Sequence, residues 1–308
     1  MLSRFFFRRS PLNLALFFFL FSIIGVACCS MVQRENPATA RLAQERRNAE
    51  INGWLHSTVA FVTQIEPGTD SYSLPICSGF FVSPRRLISA AHCFQRGIIL
   101  QLPNGTTRYM PIMESVEGKT VYFMRYGEID ALRNQLIAPP SVGVINYHSL
   151  GNDMVVIDLI DGQPSSDFYF SLADDAPSVG DRTFSVGHPN QLSWTLADGM
   201  VSRVVTGRTN ALPITIQATN PTIGGCSGGP LLNTEGEVIG MTEANMGFVP
   251  ELGIFSSAAI IRSVLQVARA RDIVRLILSE ESSTDAPDTG IQRPTETTDS
   301  GTFTPGTQ

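Results

Sequence analysis

The chain has 308 residues, 43% of them apolar and 16% charged, enough for one large or two small globular units with a real core. Its formal net charge of −6, with no basic run anywhere, argues against nucleic acid as a partner.

The first thirty residues stand apart. Arg4, Arg8 and Arg9 precede an apolar run from Leu12 to Ala27, and small residues follow through Ser30. This is the layout of an export signal. Arginines on the short N-terminal side agree with outward translocation of the rest. Three fates stay open for residues 1–30: cleavage, lipid attachment at Cys28 or Cys29, or retention as a membrane anchor. The lipid-attachment pattern is poor, because no leucine stands three residues before either cysteine. Each fate exports the bulk of the chain, which is then secreted, periplasmic or anchored facing outside. Membrane attachment, if any, runs through this segment.

Residues 31–50 are polar with helix-forming composition and read as a linker or short helix. From residue 51 short apolar runs alternate with turn residues. Strands are expected at 59–63, 79–82, 86–89, 98–102, 121–124, 154–157, 183–186, 214–217, 237–241 and 252–255. Gly, Pro, Asn and Asp punctuate them. So many short strands point to barrels or a sandwich. One long helical pattern runs from about Ser257 to Leu278, with Ile260, Ile261, Val264, Val267 and Ala268 on an apolar face. Residues 281–308 turn to Thr, Ser, Asp, Pro and Gly, a composition that cannot offset its ordering entropy and is expected to be disordered.

Chemistry concentrates in three places. Ser89-Ala90-Ala91-His92-Cys93 presents a histidine beside a cysteine. Gly224-Gly225-Cys226-Ser227-Gly228-Gly229-Pro230 presents a serine in a glycine-rich turn. A serine hydroxyl becomes a nucleophile only when a neighbouring base takes its proton. The flanking glycines let backbone N–H groups, those of Gly225 and Ser227, face a developing oxyanion. A lone turn of this kind is as readily a tight hairpin. Asp153 sits at the entry to the apolar run Met154-Val155-Val156-Ile157, where a carboxylate needs a hydrogen-bonding partner, and a histidine N–H is a natural one. Asp158 is the competing carboxylate, with a strand-end turn role as its plainer reading. Cys77 and Cys93 bracket the histidine segment. In an oxidising compartment they form a disulfide, unless they remain two free buried thiols.

The His92, Asp153 and Ser227 segments, in that order, resemble those of the chymotrypsin-like serine peptidases, over roughly residues 51–280. Val186-Gly187-His188-Pro189, Asp198-Gly199-Met200-Val201-Ser202 and Leu231–Gly240 are similar to the bacterial HtrA-type branch, without a PDZ-like module after them. The Cys77/Cys93 pair is similar instead to the animal-type trypsin branch. The resemblance implies an all-β fold of two six-stranded antiparallel β-barrels, a cleft between them and a C-terminal helix. It implies His92 as base, Asp153 as its orienting group, Ser227 as nucleophile and Gly225 and Ser227 as the oxyanion hole. Protein or peptide is the implied substrate, and no cofactor or metal is called for. His56, His148 and His188 have no ligand-type neighbours at metal spacing, and His188 reads as structural.

Departures from the family pattern matter. Cys226 stands where trypsin-type zymogens carry an aspartate that pairs with a newly cut N-terminus. Cleavage before Ile51 is therefore not expected to act as a switch, since a buried ammonium without a carboxylate is costly. The residue six before Ser227, aligned with the base of the primary specificity pocket, is Pro221, so a trypsin-like preference for Arg or Lys is not supported. Small or apolar side chains are expected before the scissile bond. Thr242-Glu243-Ala244-Asn245 would form the strand that pairs with substrate backbone. Glu243 either favours a basic group or faces outward. The expectation is an exported serine endopeptidase acting through an acyl-enzyme. The alternative is an envelope chaperone-like or binding module with a dormant site.

Overall fold

The structure is a computed structural model. It describes residues 37–101, 107–112, 114–130, 132–133, 135–207, 213–246 and 249–284, so the expected export segment and all but the start of the expected tail lie outside the described residues. Helix α1 (Pro37–Ser57) is followed by strands β1 (Thr58–Val62), β2 (Cys77–Ser83) and β3 (Arg86–Ala90). A hairpin β4 (Gly97–Gln101) and β5 (Thr107–Pro111) and then β6 (Thr120–Met124) come next. The short pair β7 (Ile129–Asp130) and β8 (Gln135–Leu136) precedes β9 (Ser141–Ser149) and β10 (Met154–Leu159). The second half holds β11 (Arg182–Gly187), β12 (Thr195–Thr206), β13 (Pro213–Ala218), β14 (Pro230–Leu232), β15 (Val238–Met246), β16 (Val249–Ser257) and helix α2 (Ala258–Thr284).

Two closed antiparallel barrels result. The first runs β1-β2-β3-β10-β9-β6 and the second β11-β12-β13-β16-β15-β14. The chain is thus all-β, two six-stranded barrels with a C-terminal helix. Among the described residues, closure pairs every strand of either barrel on both sides.

Strand alternation divides the core. In β10, Val155 and Ile157 face the interior of the first barrel with Phe61, Phe81, Leu87 and Phe123. Met154 and Val156 face the other way, joining Phe80 and Ile88 against Phe184, Leu232, Val238 and Met241 of the second barrel. A strand buried on both faces reads as an unbroken apolar run, which is why Met154–Ile157 shows no polar alternation. Phe80, Ile88, Met154 and Val156 are fully buried, and burial of each contributes about 1.5–3 kcal/mol.

Helix α2 lays Ile261, Val264 and Ala268 into this seam. Its next turns are tied to the first barrel by charge. Arg271 bonds Glu117 at 2.6 and 3.0 Å. Arg86 bonds Asp272 at 2.7 Å and Asp158 at 2.6 and 2.8 Å. The helix continues beyond Leu278 to Thr284, past the start of the expected tail.

Residue 51, expected as the start of the domain, falls inside α1. The polar stretch before it carries Pro37 at the first helical position and strong helix formers such as Ala, Arg, Gln and Glu. The helix runs on because Trp54 anchors it, packing on Phe184 of the second barrel at a centroid distance of 5.3 Å. No helix among the described residues is long and apolar enough to cross a membrane.

Candidate active site

Register brings the histidine and the aspartate together. Strands β3 and β10 pair antiparallel with Ala90 opposite Met154, so the residues just beyond each end are neighbours. His92 lies in a 3-10 turn, Ala91–Cys93, directly after β3. Asp153 directly precedes β10, in the left-handed region at φ 46°, which an aspartate tolerates better than most side chains. The Ala91 N–H donates to Asp153 O at 3.0 Å and locks the two turns. The Asp153 carboxylate then accepts twice from one residue. His92 N–H donates to Oδ1 at 2.8 Å, and His92 Nδ1 lies 2.6 Å from Oδ2. The competing Asp158 is engaged elsewhere, with Arg86 and, at 2.6 Å, with Asn146 Nδ2.

Ser227 arrives from the second barrel, on the turn between β13 and β14. Ser78 holds that turn from the first barrel. Its N–H donates to Ser227 O at 2.8 Å and its Oγ to Gly225 O at 2.7 Å. From the second barrel, Gly228 N–H donates to Thr242 O and Thr242 N–H to Gly229 O, each at 2.8 Å. Glycine is required here. Gly228 has φ +82°, and a Cβ would lie 2.3 Å from Ser78 O. Cys77 and Cys93 form the disulfide, and Cys93 Sγ sits 3.9 Å from Ser227 O. Cys77, Cys93 and His92 group closely enough to suggest a metal site, but the sulfurs are spent on each other and one ligand remains.

His92, Asp153 and Ser227 line one cleft of about 900 Å³ between the barrels. A second, smaller cavity of about 250 Å³ adjoins it, sharing Thr222, Ile223 and Thr242. Its walls include Val186, Pro221 and Cys226, and no charged residue lines it among the described residues. Cys226 is free, 8% exposed, and burial pushes its thiol above the usual range. That environment disfavours the thiolate.

Two further residues line the cleft: Glu243, which the sequence left open between two roles, and His148, whose place there the sequence reading missed. Glu243, for which an outward orientation was one expectation, instead lines the cleft and accepts a hydrogen bond from Ser256 Oγ. Burial raises its carboxyl above the ordinary value, with Asp153 adding to the shift. The strand β15 carries irregular register between Thr242 and Ala244, which upsets the in-out alternation that the outward reading assumed. His148 also lines the cleft at 6% exposure, accepting from Val116 N–H at 3.4 Å, and burial pushes its ring towards neutrality. His56 packs between Tyr126 and Phe168, each at 5.0 Å.

Two closed barrels flanking a cleft that holds a histidine, an aspartate and a serine define the chymotrypsin-like class of fold. Residues 77–241 match the trypsin-like peptidase domain, and the chain belongs to that family. Among solved structures it is similar to an inactive serine-to-alanine mutant form of Rv3671c from M. tuberculosis H37Rv. The identity is 15% and the TM-score 0.51, over 76% of this chain and 94% of that one. It is similar also to the active form of the Rv3671c protease from M. tuberculosis, at 16% identity and a TM-score of 0.50, over 75% and 86% of the two chains. A comparison with curated proteins gives no significant match.

Proposed function

We propose that the protein is an exported serine endopeptidase that cleaves peptide bonds through an acyl-enzyme. The observation that carries this is the doubly hydrogen-bonded His92–Asp153 pair facing the same cleft as Ser227. A carboxylate at Nδ1 requires a proton there, which leaves Nε2 as the acceptor. In this reading His92 Nε2 takes the Ser227 hydroxyl proton as Oγ attacks the substrate carbonyl. The N–H groups of Gly225 and Ser227 receive the oxyanion. His92 then protonates the leaving amine, and water, deprotonated by the same nitrogen, releases the acid and regenerates Ser227. Every step uses groups of the chain, substrate and water alone.

The adjoining cavity of about 250 Å³, with Pro221 and Ile223 in its wall, suits a small or apolar substrate side chain. The Cys77–Cys93 disulfide and the N-terminal arginine-then-apolar layout favour an oxidising, extracytoplasmic location.

An active-site serine phosphonate probe tests the reading. It is expected to label the wild-type chain and not Ser227→Ala, and casein hydrolysis is expected to follow the same pattern. Absence of labelling across roughly pH 6 to 9, where a neutral imidazole serves as base, would refute it. A dormant binding module would leave casein intact while Ser227→Ala still suppressed aggregation.

A further inference from the structure

His188 is fully buried at the seam between the barrels, and the mechanism above does not use it. Its two ring nitrogens bond to different parts of the fold. Nε2 lies 3.0 Å from Val59 O in the first barrel, and Nδ1 lies 3.0 Å from the Trp194 backbone N. A carbonyl only accepts and an amide only donates, so the proton sits on Nε2 and Nδ1 is the acceptor. Burial pushes this ring down to about 4, which keeps it neutral in that tautomer at ordinary pH.

The loop that follows is strained. Asn190, Gln191 and Trp194 have φ of 45°, 70° and 53°, a region that non-glycine residues occupy only when surrounding contacts hold them there. Several contacts hold it there. Trp194 Nε1 donates to Thr58 O at 3.2 Å, and its ring meets that of His188 edge-on at 5.0 Å. Gln191 N–H donates to His188 O at 3.1 Å. The loop presents one outward arm: Asn190 N–H donates to Gly224 O at 2.7 Å. Across a planar trans peptide, C=O and N–H point in opposite directions. Tying Gly224 O to Asn190 therefore turns the Gly225 N–H away from the loop. Gly225, at φ +100°, packs so closely that a Cβ would lie 2.1 Å from His188 O.

We propose that His188 and Trp194 are positioning residues. Acting through Asn190 N–H, they hold the Gly224–Gly225 peptide in the orientation that supplies the Gly225 donor to the oxyanion. This rests on the peptidase reading above. Released from the clamp, that peptide can turn its carbonyl oxygen towards the oxyanion and repel it.

The test compares His188→Leu, His188→Gln and Trp194→Phe with the wild type. Active sites are titrated with the phosphonate, and kcat, KM and the inhibition constant of a peptide aldehyde, whose adduct mimics the oxyanion, are measured. His188→Leu removes both ring bonds and is expected to lower kcat per titrated site by about 100-fold, the scale of losing one oxyanion donor. KM should change little, and aldehyde affinity should fall in parallel with kcat. His188→Gln offers one amide donor and one carbonyl acceptor and is expected to recover most of the loss. Trp194→Phe keeps the ring and loses one hydrogen bond, with an expected loss of about 5-fold. A lesion that only unfolds part of the sample leaves kcat per titrated site and aldehyde affinity unchanged. If His188→Leu does not fold, Trp194→Phe carries the same readout. Folded variants with both quantities within about twofold of wild type would overturn the clamp and leave the peptidase reading standing. A wild type that neither labels nor cleaves overturns both.

Discussion

Replacing Asp153 with asparagine tests the proposed triad at its least substitutable point. The carboxylate accepts two hydrogen bonds from His92, at 2.8 Å from the backbone and 2.6 Å at Nδ1. Asparagine has the same shape and tolerates the left-handed backbone at φ 46°, so the turn should survive. Its amide, however, accepts on one side only. If the amide oxygen keeps the His92 backbone N–H, the NH₂ faces Nδ1, which must then be unprotonated. The proton moves to Nε2, and His92 can no longer take one from Ser227. In the flipped amide, NH₂ meets the backbone N–H and leaves a donor unpaired, at about 1–3 kcal/mol. The first arrangement is therefore favoured, and kcat should fall by about 10⁴, the loss a wrong tautomer brings in an analogous triad. At 1.36 kcal/mol per tenfold this is about 5.4 kcal/mol of lost transition-state stabilisation. The assay is kcat on a peptide substrate in a preparation whose circular dichroism matches wild type. A fall smaller than about tenfold in folded protein would refute the reasoning. Asp158→Asn, which disturbs only the Arg86 network, should leave kcat unchanged.

Three further outcomes are expected. Removing the disulfide with Cys77→Ala and Cys93→Ala opens a loop of sequence separation 16, worth about 3 kcal/mol in chain entropy, and should lower Tm by roughly 6–12 °C in a thermal melt. An unchanged Tm would mean that the bridge adds nothing to stability. Acid should weaken the fold through His188. Its folded value of about 4 lies below the ordinary 6.5, so the unfolded chain binds more protons between these values and stability drops as pH falls. The gap is worth about 3 kcal/mol. In urea titrations His188→Gln should show a correspondingly shallower loss between about pH 6.5 and 4, and equal slopes would contradict the assignment. Arg86→Met leaves Asp158 and Asp272 without their shared cation and should cost about 2–3 kcal/mol, since the pair is partly exposed. Hydrogen exchange should rise first in α2, and a uniform rise would argue against its role as the anchor of that helix.

Among the strands outside the expected set, the two longest share a cause. Strands β9 and β12 were not expected, although both are long. Ser141–Ser149 mixes Gly, Asn, Tyr and His with its apolar residues. Thr195–Thr206 holds Ala, Asp, Gly, Ser and Arg. Their identity as strands comes from ladder bonds to neighbours, β6 and β10 for β9 and β11 and β13 for β12, rather than from an apolar period. Glu243 was ambiguous for a similar reason, because the register shift that turns it into the cleft is set by pairing with β16.

Local chemistry by itself marked the strands buried on both faces, the amphipathic stripe of α2, the histidine and serine turns and the two cysteines that bridge. These are statements about neighbours in the chain, and side-chain type and spacing carry them. Tertiary structure alone decided which partners meet across the barrels. Asp158 went to Arg86 and Asn146, Cys226 into an apolar wall, and Glu243 into the cleft. His188 found Val59 across 129 residues of sequence. No local pattern encodes such a contact, because the position of a hydrogen-bond acceptor that far along the chain exists only once both barrels have closed.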